Sequence, residues 1–415
     1  MRFSYVCSDC GARYETQDIM YRCPSCGDAE DSVFQHGNLI VKLHQKDLSA
    51  LKEKEHVTPF DFFPYDIPTP QAYPVGNTPL AASPRLSRTY GFKNLLFKLD
   101  GQNPSGSFKD RASQLVAAQA KALGKNKVVL ASTGNAGSAM ACAGAAYGLE
   151  IVLFVPASAP VNKLLQSVLY GAHVIPVNGT YDEAFALSIA YSNEFGGINR
   201  NTAYNPMTIE GKKSVSIELF EQMGRTIPDV VYIPVGDGVI ISGVYKGFSD
   251  LKDAGIIKKI PALVCVQSSG SDAISRAWSN GVYEPLSTVT TTADSIAVSS
   301  PANGRMAVTY IKRSNGWATV ISDEKISDAQ LELARDSGIF VEPAAAAAWA
   351  GVKADQEKIQ AAFGSDAKIV VLLTGTGFKD MKAFEGKVAI PPAIEPTLSA
   401  MRAYAVSQNN EKAHV

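Results

Sequence analysis

Asn103-Pro104-Ser105-Gly106-Ser107-Phe108-Lys109-Asp110-Arg111 is the stretch on which the reading of this sequence turns. It sets a lysine where a Gly/Ser turn gives way to a helical stretch over 109–122. Alone, such a lysine is ordinarily a solvated surface charge. Its setting argues for more. From about residue 85 onward, short apolar runs alternate with Ala-rich stretches of helical length, the pattern of βαβ units. Val128-Val129-Leu130, Ile151–Val155 and His173–Val177 read as successive strands of one parallel sheet, with helices over 136–147 and 161–170 between them. Val230–Ile233, Leu263–Val266 and Ile369–Leu373, separated by helical stretches such as 217–223 and 328–337, read as a second wound sheet. The fold class is α/β.

In open α/β sheets, ligands gather beyond the carboxyl ends of the strands, where loops and helix N-termini present free N–H groups. Three such ends carry unusual residues: Ser132-Thr133-Gly134-Asn135-Ala136-Gly137-Ser138, Pro234-Val235-Gly236-Asp237-Gly238 and Thr374-Gly375-Thr376-Gly377. Singly, each glycine cluster is what a tight strand-to-helix turn needs for backbone reasons. Their joint occurrence with Lys109 makes one shared site the expectation.

The Asn103–Arg111 run resembles the cofactor-lysine segment of the fold-type-II pyridoxal 5′-phosphate (PLP) enzymes, most closely that of the threonine synthase family. Ser132–Asn135, Val341-Glu342-Pro343-Ala344 and Leu373–Asp380 match in the same order, and the likeness covers roughly residues 75–385. It implies two doubly wound α/β domains of the tryptophan-synthase-β-like architecture, preceded by a small zinc ribbon. The segments expected are a ribbon over 1–40, a larger PLP domain from 41–85 and 205–400, a smaller domain over 86–204, and a loose polar tail over 401–415.

The resemblance also implies roles. Lys109 would hold PLP as a Schiff base and shuttle protons at the substrate carbons, with Phe108 beside it. Asn135 would donate to the cofactor's 3-oxygen, and Gly236, Asp237, Gly238, Val239 and Ile240 would form the loop for its phosphate. Thr374 would face the pyridine nitrogen, where a hydroxyl favours elimination and replacement over transamination. Ser132, Thr133, Asn135 and Ala136 would hold the substrate carboxylate at a helix N-terminus. Glu342 is expected near the ring or as a helix-start carboxylate. The implied activity is a carbon–oxygen lyase turning O-phosphohomoserine and water into threonine and phosphate. The alternatives are β-elimination or β/γ-replacement on another amino acid, and an idle homologue serving interaction or sensing.

Three positions depart from the family pattern. Asn205-Pro206-Met207-Thr208-Ile209-Glu210-Gly211-Lys212 carries Thr208 where the family has arginine. The phosphate loop carries Asp237 in place of an asparagine, and Thr376 stands for the usual histidine. A carboxylate beside an anion site must turn away, be paired or meet a cation. Lys212 and Lys213 are the candidate replacement cations, although the sequence favours reading both as solvated helix charges.

Four of the six cysteines lie within the first 26 residues, and Cys7-x-x-Cys10 and Cys23-x-x-Cys26 bracket twelve residues. That spacing can set four thiolates around one structural Zn²⁺, leaving no open position for catalysis. His56 to Tyr73 reads as an extended connector in which no chemistry is expected. With 39 basic against 40 acidic side chains, no field favours nucleic acid or an anionic membrane surface. Cysteine usage and the absence of a basic-then-apolar leader point to a reducing cytoplasm. The expected partners are a small amino-acid substrate and, by family habit, a second copy of the chain as a homodimer.

Overall fold

Runs of Val, Ile and Leu long enough only for strands build two largely parallel sheets, each covered on both faces, which is why their strands carry no polar alternation. The computed structural model describes residues 2–15, 20–26, 34–388 and 390–412. The larger sheet orders Trp317–Ile321, Ala262–Ser268, Val230–Pro234, Lys368–Leu373, Asn94–Leu99 and Leu80–Ala82. All neighbours run parallel except the edge strand Leu80–Ala82, which is antiparallel to Asn94–Leu99. In register, Tyr232 lies opposite both Val264 and Val371. The smaller sheet orders His173–Val177, Glu150–Pro156, Lys127–Ala131 and Ile198–Asn199, all parallel.

The helix Pro343–Ala354 shows how the larger core is built. Ala344 to Ala348 and Trp349 are buried, and a Cβ on Gly351 would come within 2.7 Å of Val266. Small residues let the helix lie close on the sheet, and Trp349 fills the space that remains. Removing so large a buried side chain costs about 3–5 kcal/mol.

Most of the expected strands and helices appear within a few residues of their predicted limits. Asn94–Leu99 does not fit the segment boundary at 86, because it pairs with Lys368–Leu373 in the larger sheet, and the smaller sheet begins only at Lys127. The short strands Ile198–Asn199 and Leu80–Ala82 carry too few residues for a periodic signal. The expected loose tail is instead helical over Leu398–Lys412, a unit described by itself, in keeping with its helix-forming Met401, Arg402 and Ala403. Residues 413–415 of that tail, and 16–19 and 27–33 of the ribbon segment, lie outside the described residues. No helix among the described residues is long and apolar enough to cross a membrane.

At the N-terminus, Phe3–Cys7 pairs antiparallel with Arg13–Tyr14 on one side and Leu39–Leu43 on the other. Two of the ties between this module and the α/β body bear on the site. Asn38 donates to Asn303 Oδ1 at 2.9 Å, and Asn303 in turn donates to the carbonyls of Gly238 and Asp237. Tyr21 stacks on Tyr204 with centroids 4.7 Å apart, and its hydroxyl accepts the Asn199 N–H at 2.9 Å.

Candidate active site

Backbone hydrogen bonds zip three separate segments together around Lys109. The Phe108 N–H donates to Thr374 O at 2.8 Å, Thr376 N–H to Gly106 O at 3.1 Å, and Glu342 N–H to Gly375 O at 3.2 Å. Close approach demands glycine: a Cβ at Gly375 would lie 2.5 Å from the Glu342 carboxyl, and one at Gly101 would lie 2.7 Å from Thr376 N. Lys109, Glu342, Thr374 and Thr376 are thereby brought to one place. Lys109 is half-buried and sits just before the helix Asp110–Ala122. Burial pulls its amine below the ordinary lysine value; the Glu342 and Asp237 carboxylates oppose this, and Arg200 adds to it.

On the cleft side, Ser132 Oγ accepts from Gly134 N–H and Gly137 N–H at 3.3 and 3.1 Å, so it shapes the turn into the helix Asn135–Tyr147. The Asn135 amide donates to both Glu342 carboxylate oxygens, at 3.2 and 3.0 Å, and to Ser295 Oγ at 3.2 Å. Glu342 precedes the helix Pro343–Ala354 without capping it, because its carboxylate is turned to Asn135 instead. Burial pushes that carboxyl up, against Asn135, Lys109 and Lys379. These residues open on a cleft of about 550 Å³ bordered by Asn135, Ser138, Glu342, Thr376 and Lys379. Thr133, Ala136 and Phe108 are not among its lining residues, and Phe108 is fully buried.

Sequence reasoning singled out no role for Lys379, and it carried no signal beyond its place in the motif. The structure holds its Nζ on Ser138 Oγ at 2.9 Å, Ser105 O at 3.3 Å and Gln166 Oε1, all neutral oxygens. Tyr73, from the connector where no chemistry was expected, donates its hydroxyl to Asp110, whose carboxyl burial pushes up to about 6.

Deeper in the body, the Gly236–Ile240 loop enters the helix Val239–Asp253. Gly238 adopts φ +85 at the helix start, where no side chain caps the free N–H groups. A Cβ there would meet Ala307 at 2.8 Å and Asn303 O at 2.9 Å. Asp237 faces Lys109 and Lys212, and burial raises its carboxyl. Lys212 and Lys213 are not the solvated charges expected: both are 0% exposed. The Met207–Lys212 helix lies against Val239–Asp253 so closely that a Cβ on Gly243 would come within 2.6 Å of Lys212 Cβ. Lys213 pairs with Glu210 and with Asp250 at 2.8 Å, whereas Lys212 Nζ has no hydrogen-bond partner among the described residues. Thr208 is buried and donates to Asn205 O at 2.7 Å, so it does not stand in for a cation. Arg200, which follows the strand Ile198–Asn199, is also fully buried. Its Nη1 reaches Thr202 Oγ1 at 2.9 Å, while Nε and Nη2 lack partners among the described residues. A charged residue at an apolar strand's carboxyl end was the available signal, and it was missed.

A family model described as "Pyridoxal-phosphate dependent enzyme" matches residues 72–375. The chain is also 31% identical over 401 residues to a threonine synthase of Methanosarcina acetivorans, covering 95% of this chain and 97% of that protein. The chain belongs to the threonine synthase family of pyridoxal-phosphate-dependent enzymes. A further relative, a threonine synthase of Halalkalibacterium halodurans, is 35% identical over 77% of this chain and 88% of its own. Among solved structures, threonine deaminase isoform 2 of Solanum lycopersicum superposes with a TM-score of 0.65 at 23% identity, over 76% of this chain and 85% of that one. Maize serine racemase does so with a TM-score of 0.64 at 23% identity, over 75% and 92%. These two share the fold.

As a member of the threonine synthase family the chain is a PLP-dependent lyase. Its residues suit that cofactor: a buried lysine amine of lowered basicity, an uncapped helix start at Gly238, and two buried cations with unpartnered donors. Four cysteines also come together as the sequence spacing requires. The Sγ atoms of Cys7, Cys10, Cys23 and Cys26 all lie within 4.8 Å of one another.

Proposed function

We propose that Lys109 carries the cofactor and that the chain converts O-phosphohomoserine and water into threonine and inorganic phosphate. The observation that carries this reading is the zipping of Lys109, Glu342 and Thr374 to one place beside a cleft in which Lys379 Nζ is held by neutral oxygens, whereas Lys163 is paired with Asp294. A cation held only by neutral oxygens is free to receive an anionic substrate group. When bound, PLP supplies the electron sink that makes the amino-acid C–H bonds acidic. The chain's part is to position and to move protons. Thr133, Ala136 and the N–H groups at the start of Asn135–Tyr147 hold the substrate carboxylate, with Ser132 fixing the turn. Asn135 positions the ring's oxygen edge and Thr374 its nitrogen. Lys109, whose amine burial makes less basic, takes and returns protons at the substrate carbons.

Relatives named threonine synthase over nearly the whole chain support the substrate. Inward-turned Thr208 favours a second reading, in which the substrate is a different amino acid with an anionic leaving group. The test is direct: holoprotein incubated with O-phosphohomoserine should release phosphate and form threonine in equal amounts. No release at high enzyme concentration rejects the leading substrate and leaves the second. For the cysteine cluster we assign one Zn²⁺ in a structural role, which a zinc assay giving one ion per chain would support. A cytoplasmic homodimer completes the proposal.

A further inference from the structure

Lys212 and Arg200 are among the most unfavourably placed charges in the protein unless something joins them. Both side chains are 0% exposed, and between them Lys212 Nζ and Arg200 Nε and Nη2 lack hydrogen-bond partners among the described residues. A buried charge without a partner costs several kcal/mol. Elsewhere the chain avoids that cost by pairing, as for Lys213 and Arg111. Lys212 is packed by its Cβ against Gly243, one turn into the helix whose uncapped start is Gly238. Burial holds its amine well below the ordinary lysine value, and the charges that act on it are Lys109, Arg200 and Asp237, the last of which adjoins that start. Asp237 acts on Lys212 and Lys109, and Asp110 on Arg200, but among the described residues no ion pair joins either carboxylate to these cations.

Asp237 stands where the resemblance implies asparagine, and Lys212 is a charge of opposite sign that acts on it.

We infer that Asp237 and Lys212 are one matched exchange, and that Lys212, with Arg200, supplies the buried cations of a site for a phosphate monoester dianion at the start of the Val239–Asp253 helix. The occupant is the cofactor's 5′-phosphate rather than the substrate's, because Lys379 lines the cleft while Lys212 does not. A neutral cradle of N–H groups thereby becomes a charged one. Lysine without Asp237 would overfill the site with positive charge, and Asp237 without lysine would repel the phosphate.

The inference rests on reading Gly236–Ile240 as the phosphate loop, and the experiment separates the two. On the full-length apoprotein, dissociation constants are measured for PLP and for pyridoxal, which lacks the phosphate, together with the thermal midpoint of the apo form. Lys212→Met should weaken PLP by roughly 10- to 100-fold, the worth of a charge-assisted hydrogen bond. Pyridoxal binding should be unchanged and the apo midpoint should not fall, since the lost charge had no partner. Lys212→Gln should weaken PLP likewise, and Lys212→Gln with Asp237→Asn should recover most of the loss. Equal weakening of PLP and pyridoxal, or a lowered apo midpoint, would make Lys212 a structural residue and overturn the proposal. So would an unchanged PLP-to-pyridoxal ratio with a raised KM for a phosphorylated substrate, which would move Lys212 to the substrate. Failure of the double substitution to recover binding overturns the pairing. If borohydride fails to fix a pyridoxyl group on wild-type Lys109, the underlying reading fails instead.

Discussion

Two lysines adjacent in the chain, Lys212 and Lys213, are equally buried and differently used. Lys213 belongs to a closed set with Glu210, Lys246 and Asp250, in which Lys246 lies 2.6 Å from Asp250. A second closed set surrounds Arg111, whose guanidinium meets Asp100 at 2.6 Å and Glu218 at 2.7 Å while Lys98 meets Glu218 at 2.8 Å. Lys212 has no such set. Burial of charge therefore does not mark a functional site, since paired clusters tie helices together as well. Burial without a partner does mark one, because a free energy cost of that kind persists only where a ligand removes it.

The largest effect that would test this contrast is at Lys109 itself. Lys109→Ala should lower lyase activity by about 10³-fold or more and abolish borohydride labelling, with far-UV circular dichroism unchanged. Retained activity would remove the lysine from the chemistry. Next, breaking a paired set should cost stability where breaking the open one does not. Lys213→Met should destabilise the apoprotein by about 3–5 kcal/mol in urea unfolding, since it leaves two buried carboxylates, Glu210 and Asp250, to share the one cation Lys246. Equal losses for Lys212→Met and Lys213→Met would erase the distinction.

Asp110 gives a smaller and pH-dependent effect. Its folded-state value of about 6 lies above the ordinary 3.8, so the folded chain favours the protonated form. The stability this contributes is complete below the ordinary value and is lost as pH rises through about 6, at most about 3 kcal/mol in all. Asp110→Asn should flatten the fall in the apo thermal midpoint between those values; an unchanged slope would show that another group titrates. The smallest change concerns Glu342. Its carboxylate holds the Lys109 amine up against burial, so Glu342→Gln should move the pH at which apoprotein captures PLP to a lower value. A shift upward would mean that Glu342 acts on Lys109 through some other route.

How much of this was legible in the sequence follows from where the signals lie. The Asn103–Arg111 run and the glycine turns could be read because backbone geometry restricts which residues fit there, as Gly375 against Glu342 illustrates. Long apolar strands were equally plain. Asn94–Leu99 was not read as a strand and fell within the 86–204 segment expected for the smaller domain, because pairing partners far apart in sequence leave no local mark. Lys212 and Arg200 escaped notice because a lysine or arginine looks the same in sequence whether solvated or enclosed. Only the packing of Gly243 against Lys212 reveals the enclosure. Tyr73 and Lys379 were hidden in the same way, in a connector and at the end of a motif.

The ties from the N-terminal module give the four-cysteine end of the chain a reach its own chemistry lacks. Asn38 braces Asn303, which holds the carbonyls on both sides of the Asp237–Gly238 turn, and Tyr21 braces the backbone just before Arg200. An expression fragment covering 72–380 would keep every residue that lines the cleft and sever both struts. The phosphate end of the site would be the part left to drift.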